Sequence, residues 1–394
     1  MMRNDDWQIA MKVIEKIEQA GYEAVIVGGA VRDYLLNNIV NDIDVATSAL
    51  PSEVKRIFSS TVDVGIEHGT VLVLDEGQPV EVTTYRTESD YSDYRRPEQV
   101  TFVRTLDKDL QRRDFTINAM AMKKDGHLID LFGGQEDIKN GVIRSVGDAT
   151  VRFREDALRM LRAIRFSAQL DFTIEEKTLK AIQQDCDLIE FIAHERIAME
   201  LSKLWKGKNV YGGIQALIES HLAKYLVGNF KDNEQHWKEF HTPQSEVGWA
   251  YLCILNREEV QDIFDFYRLS NKDKTFIKNV MNAYTGLLKE WSIMDYFTND
   301  LFVLETAYDF AVWQQKSIPF EKSEIKRVKE NLNIQSVNEL AINGHHLMEW
   351  TSKKRGPWIK VALDAAIITI LYGDVQNDEH TLKEWFLNEF NNER

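Results

Sequence analysis

The hydrophobic period of this chain changes once, near residue 148, and that change limits the fold more than any single motif. Before it, Ile9, Met11, Val13, Ile14 and Ile17 recur at helical intervals, Gly21 closes the pattern, and 24–27 forms a short β-type run. Further strands are predicted over 43–46, 71–74 and 80–84, with helices over 31–36 and 52–58. After it, Leu158, Leu161, Ile164 and Phe166, then Leu179, Ile182, Ile189, Ile197, Leu201 and Leu204, keep helical spacing almost without strand signals. The expected class is therefore α+β, with mixed structure up to about Gly147 and a remainder built of helices. Residues 88–99, with Arg95, Arg96 and Pro97, bury almost nothing and predict a mobile loop. Joints are expected at 207–213, at 228–245 and near Ser292, and no internal repeat is visible.

With 394 residues, 44% of them hydrophobic, the chain can fill about two to three cores. Cys186 and Cys253 support neither a disulfide framework nor a four-ligand zinc site, so both are expected reduced and buried. Charged residues interrupt the N-terminal apolar pattern, which rules out a signal-peptide core. The longest late apolar run, 365–372, is far below the roughly twenty residues of a membrane span. A cytoplasmic protein with no membrane partner is expected. The 63 acidic against 48 basic residues give a net charge of −15, which disfavours non-specific nucleic-acid binding and demands a local basic groove for any such partner.

Chemistry concentrates in the mixed half. Gly28 and Gly29 follow an apolar strand and precede a helical pattern with Arg32 in its first turn; paired glycines let backbone N–H groups approach a phosphate. Downstream, Asp42 and Asp44 flank Ile43 in a strand pattern, so both carboxylates share one face while Ile43 turns to the core. Two such carboxylates suit Mg²⁺, which binds protein carboxylates together with substrate phosphates. Glu81, between Val80 and Val82, is either a third member of this cluster or a solvated strand-face carboxylate; Asp114 competes for the same place.

Val27-Gly28-Gly29-Ala30-Val31-Arg32-Asp33, Asp42-Ile43-Asp44, the segment from Gly65 to Thr70, Arg112-Arg113-Asp114 through Met120, and Arg154-Glu155-Asp156-Ala157-Leu158-Arg159 resemble motifs of the class II tRNA nucleotidyltransferases, within the polymerase-β nucleotidyltransferase superfamily. The resemblance implies a catalytic head with a small mixed sheet over 1–148, a helical neck carrying a base template over 149–207, a helical body over 208–291 and a tRNA-binding helical tail over 292–394. It implies that CCA is added to tRNA 3′ ends from CTP and ATP by a two-metal mechanism with Mg²⁺, and it makes a homodimer plausible. It also implies that Arg113 meets the nucleotide's phosphates or sugar and Asn118 its ribose, with Asp114 beside them.

The implied template obeys donor and acceptor chemistry. Asp156 and Arg159 stand three apart on a predicted helix and share a face, so a carboxylate and a guanidinium can meet one base edge. Cytosine and adenine both offer an exocyclic amine beside a ring acceptor; guanine and uracil reverse that pattern and leave both side chains facing like partners. Arg162 and Arg165 continue the helix toward a triphosphate, or form a salt-bridged solvent face. Between Val142 and Phe166 stand six Arg and three acids. His68 lacks a nucleophile motif and is expected to be structural. In the tail, Lys353, Lys354, Arg355, Trp358 and Lys360 make either a basic patch for RNA or a solvated turn, while Trp350 and Trp385 are expected in the core. The rival readings are a poly(A) polymerase, a partial enzyme adding only CC or only A, and a non-catalytic RNA-binding protein.

Overall fold

The computed structural model describes residues 5–40, 42–74, 77–91 and 97–390. They form two compact units, one comprising Met1–Ser245 and Glu259–Arg268, the other Glu246–Glu258 and Leu269–Arg394.

The first unit opens with α1 (Asp5–Gln19), whose Ile9, Ala10, Val13, Ile14 and Ile17 form one buried stripe, and which ends before Gly21 at φ +87°. There follow β1 (Ala24–Val27), α2 (Gly29–Leu35), β2 (Asp44–Thr47), α3 (Pro51–Ile57), β3 (Thr61–Gly65), β4 (Thr70–Val73) and β5 (Val80–Thr84). After these come β6 (Arg86–Tyr91), β7 (Pro97–Phe102), α4 (Leu106–Gln111), β8 (Met120–Met122), β9 (Leu128–Asp130) and α5 (Gly134–Asn140). Seven strands make one sheet in the order β3-β4-β5-β2-β1-β8-β9, in which only the β2–β5 pair is parallel. The sheet is thus mixed, as expected.

All four residues of β1 are buried because both faces are covered. Ala24 and Ile26 join Val45, Val80 and Val82 against α1 and α3, while Val25, Val27 and Ala46 pack with Leu106 and Leu110 of α4. Each fully buried Val or Ile here contributes about 1.5–3 kcal/mol.

The described residues of the 88–99 stretch predicted as a loop are instead strand, β6 pairing with β7 from Arg86 against Phe102 to Tyr91 against Pro97, while 92–96 lie outside the described residues. A two-stranded ladder satisfies its own backbone groups, which a reading based on apolar pattern alone overlooks. Arg95 and Arg96 lie outside the described residues.

The helical half of this unit contains α6 (Ala149–Glu155), α7 (Leu158–Leu170), α8 (Glu176–Asp185), α9 (His194–Leu204) and α10 (Val210–Glu219). A small parallel pair, β10 (Val142–Ile143) with β11 (Thr173–Ile174), was not anticipated; its two-residue strands are too short to show a period. On α7, Met160, Leu161, Ala163, Ile164 and Ala168 are fully buried. Later α11 (Ser245–Leu255) leads into the second unit and α12 (Val260–Phe266) returns to the first.

The second unit holds α13 (Asn271–Leu287), α14 (Ile293–Thr298), α15 (Leu301–Trp313), α16 (Lys322–Glu330), α17 (Gly344–Thr351), α18 (Trp358–Tyr372) and α19 (Glu379–Trp385). Tyr251, Phe310 and Trp313 centre its core, with ring centroids 4.9–5.5 Å apart. Trp350 and Trp385 are half-buried rather than core. The joint expected at 207–213 runs into α10 and the one near Ser292 falls between α13 and α14, both inside a unit, whereas the unit boundary at Ser245 lies at the end of the 228–245 stretch. Both cysteines are free and buried. No helix among the described residues is long and apolar enough to cross a membrane.

Candidate nucleotide and metal site

Sheet register builds the acidic side of the site. Val27 pairs with Asp44 across β1 and β2, and Val45 pairs with Val82 across the parallel β2 and β5. Asp44 and Glu81, each one residue earlier, therefore share a strand end and a face, opposite the buried Val45 and Val82. Ile43 packs on the core side, as its alternation with the two aspartates requires. Asp42, Asp44 and Glu81 line one cavity of about 530 Å³ with Leu72 and Gln78.

Crowding by the protein, together with the charge of Glu81, raises the Asp44 carboxyl above the ordinary Asp range; Arg113 acts in the opposite sense and Asp42 adds a further upward push. No set of three His, Cys, Asp or Glu side chains among the described residues is ready to hold a metal. The donor set is two aspartates whose mutual repulsion a divalent cation would relieve, with coordination left for substrate oxygens. That fits a hard, oxygen-seeking ion.

The basic side adjoins it, and Asp44 lines both. This second cavity, about 440 Å³, is walled by Gly28, Arg113, Asn118, Asp156, Arg159 and Arg162, with Gly29, Arg32 and Arg112 also on its lining. Gly28 precedes α2 at φ +71° and ψ −131°, and a Cβ built there would stand 2.9 Å from Nη1 of Arg113. The guanidinium thus rests directly on the turn.

Below it, Asp109 of α4 is 1% exposed and accepts from both Arg112 and Arg113. Arg32 donates to Asn118 Oδ1 at 2.7 Å, and Asn118 Nδ2 donates to Asp114 Oδ1 at 3.2 Å. Asp114 also accepts the Phe115 N–H at 2.8 Å and Nε of Arg162 at 2.8 Å. Burial would raise its carboxyl, but Arg162 overcomes this and holds it far below the usual range. Asp114 is therefore an anchor for Arg162 and Asn118; it lines the basic cavity with Asp44, whereas Glu81 lines the acidic cavity with both Asp42 and Asp44.

The base-template expectation needs one correction. Asp156 and Arg159 do not ride a continuous helix: α6 ends at Glu155, Asp156 is extended at φ −140°, and α7 starts at Leu158. The Asp156 carboxylate caps that start by accepting the Leu158 N–H at 3.1 Å. Both side chains still line the same cavity. Asp156 accepts from Arg196 of α9 at 2.9 Å, while Arg159 donates to Glu155 at 2.6 Å and to the Arg112 carbonyl at 3.0 Å.

Arg165 also lines this cavity, held by protein partners. It is 7% exposed, paired with Glu200 at 2.6 Å, and stacked 3.7 Å from the Phe166 ring. Burial draws its guanidinium down to about 10 in spite of Glu200. Arg32 and Arg162 lie over that same ring, at 5.1 and 5.5 Å.

Sequence reasoning missed Asp109, Arg196 and Glu200, and gave Arg112 no role beyond its place in a motif. Only Asp109, three and four residues before the paired arginines, carried a visible signal, the i,i+3 and i,i+4 spacing of helix ion pairs. The His68 ring is exposed, and its backbone carbonyl takes a hydrogen bond from Arg86. In the second unit the indole N–H of Trp358 donates to the Lys354 carbonyl at 3.0 Å, so the basic patch is partly a self-closed turn.

Family models match segments along most of the chain. The family model described as "Poly A polymerase head domain" matches residues 24–144, "Probable RNA and SrmB- binding site of polymerase A" matches 171–232, and tRNA nucleotidyltransferase domain 2 matches 240–386. The CCA-adding enzyme of Bacillus cytotoxicus is 42% identical, with 95% of this chain and 96% of the relative covered; that of Ligilactobacillus salivarius is 42% identical, with 96% of each covered. The crystal structure of the Bacillus stearothermophilus CCA-adding enzyme in complex with CTP superposes with a TM-score of 0.89 at 36% identity, covering 99% of both chains. Full-length identity at this level makes the chain a member of the CCA-adding enzyme family of tRNA nucleotidyltransferases.

Proposed function

We propose that this protein adds C, C and A in turn to the 3′ end of tRNA, taking CTP and ATP and releasing pyrophosphate. The observation that carries the reading is a carboxylate pair at one strand end facing an arginine-lined cavity through a shared Asp44, in a chain similar over its whole length to CCA-adding enzymes. In each step the tRNA 3′-hydroxyl oxygen bonds to the α-phosphorus of the nucleotide. The bond to the β-phosphate oxygen breaks, and pyrophosphate leaves with the electron pair.

Nucleotidyltransferases of this family are metal-dependent, and Mg²⁺ held by Asp42 and Asp44 is our assignment. When bound, the metal supplies charge neutralisation at the phosphates and eases deprotonation of the attacking hydroxyl. Glu81 keeps the strand end negative. The turn at Gly28 and the N–H group of Gly29, with Arg32, Arg113 and Arg162, receive the phosphates and sugar, and Asn118, fixed by Arg32 and Asp114, offers its amide to the ribose. Asp156 and Arg159 read the base, which requires them to exchange or share their partners Arg196 and Glu155. Arg165 supports Phe166 and the arginines above it.

The division into head (1–148), neck (149–207), body (208–291) and tRNA-binding tail (292–394) belongs to the same proposal, as do a cytoplasmic site of action and a homodimer. Poly(A) polymerase and partial CC or A addition receive less support, because the full-length relatives are CCA-adding enzymes.

The test is extension of a tRNA lacking its last three nucleotides, resolved to single nucleotides, with Mg²⁺ and CTP, ATP, both, or GTP plus UTP, beside an Asp42→Ala control. Two additions with CTP, a third only with ATP, and a stop there are expected. A long A ladder would replace this reading with poly(A) synthesis, and tRNA binding without pyrophosphate release would replace it with a non-catalytic role.

A further inference from the structure

We propose that Asp109 is the positioning residue for the nucleotide's phosphates, acting through Arg112 and Arg113. The proposal rests on reading the arginine-lined cavity as the nucleotide site. Adjacent arginines repel one another and have many rotamers, so their direction needs a fixed counter-charge. Asp109 provides it from one turn earlier on α4. Its Oδ1 accepts Nε and Nη2 of Arg112 at 3.0 and 2.8 Å, and its Oδ2 accepts Nη2 of Arg113 at 3.1 Å.

The carboxylate is itself held, because Oδ1 also accepts the backbone N–H of Arg86, the first residue of the β6–β7 hairpin, at 3.4 Å. Burial would favour its neutral form, yet the two guanidiniums bring its carboxyl below the ordinary Asp range, so it stays charged. Arg113 has few other supports among the described residues: one long bond to the Asn118 carbonyl at 3.5 Å, and a buried Nε without a partner. The Arg113 guanidinium spends only part of its five donors on Asp109, leaving others for phosphate oxygens. Asp109 does not line the cavity; it sets where Arg112 and Arg113 stand in it.

The experiment measures kcat and KM for CTP and ATP with the tRNA substrate described above, in the full chain, for Asp109→Asn, Asp109→Glu, the double variant Arg112→Ala/Arg113→Ala, and the double variant combined with Asp109→Asn. Asparagine keeps one acceptor oxygen and turns an amide NH2, a donor, toward the guanidiniums. Its KM should rise about tenfold or more, with kcat within about threefold. In the double-alanine background the same substitution should change kcat/KM by less than about twofold, since Asp109 then has nothing to position.

A merely structural role predicts equal losses in both backgrounds and overturns the proposal, as does an unchanged KM. Thermal melting reports folding. Where Asp109→Asn does not fold, Asp109→Glu decides, with a KM raised several-fold expected and an unchanged KM overturning. Failure of the unaltered protein to add C and A would instead remove the functional reading itself.

Discussion

Replacing Gly28 by alanine separates backbone geometry from charge placement in this site. At φ +71° and ψ −131° an L-residue is strained, at a cost of about 1–3 kcal/mol. The added methyl would also stand 2.9 Å from Nη1 of Arg113, closer than real Cβ contacts come. Two reliefs exist. The turn can relax, loosening the Arg32 N–H bond to the Gly28 carbonyl at 3.3 Å, or Arg113 can swing away, breaking its 3.1 Å pair with Asp109.

Either route displaces a group aimed at the nucleotide, and misplacement by about 1 Å costs up to about a hundredfold in rate, or about 2.7 kcal/mol of barrier. Gly28→Ala should therefore lower kcat/KM for CTP by roughly ten- to a hundredfold and the melting temperature by about 2–10 °C. Gly29→Ala is the contrast. That position is not at positive φ, and its Cβ would meet Arg32 at an ordinary 3.5 Å, so its loss should be smaller by about tenfold. Steady-state extension and calorimetry on the two variants supply the check. A Gly28→Ala protein that melts early but retains kcat/KM within about twofold would refute the placement of Arg113 over the nucleotide turn.

Asp44→Asn should abolish extension while raising stability at neutral pH. The folded carboxyl of Asp44 is raised, so its ionisation favours the unfolded chain as pH climbs through the unfolded and folded values; the melting gap over the unaltered protein should widen from acid to neutral pH. Asp114→Asn acts with the opposite sign. Its depressed folded carboxyl contributes stability that is full above about pH 4 and lost as pH falls toward the folded value; the variant should cost about 3–5 kcal/mol by denaturant melts at pH 7, and the difference should shrink in acid. Arg165→Ala should destabilise by a comparable amount through the orphaned Glu200, yet leave the KM for CTP within about threefold. A large KM rise in a well-folded Arg165 variant would return that arginine to the phosphates.

Legibility in the sequence followed the range of the interaction involved. Asp42-Ile43-Asp44 showed its face assignment because strand alternation is a two-residue rule, and Ile43 does pack on the core side. Glu81 could be placed only by the β2–β5 register, which pairs Val45 with Val82 across thirty-seven residues and has no local signature. The same distinction explains the template. Asp156 and Arg159 were found as a spaced pair, but the helix break between them depends on Asp156 capping α7 and on Arg196, forty residues away, which no period reveals. The hairpin at Arg86–Phe102 escaped because its ladder serves its own backbone, leaving no apolar trace.

Charge was the least legible quantity. A chain of net −15 does contain a basic cavity, and its buried acids are what make that possible. Asp109 holds Arg112 and Arg113, Asp114 holds Arg162, and Glu200 holds Arg165. Without these carboxylates the clustered guanidiniums would repel one another and lose fixed directions. The acids that make the overall balance look hostile to an anionic substrate are, at this site, the reason the cations can converge on one.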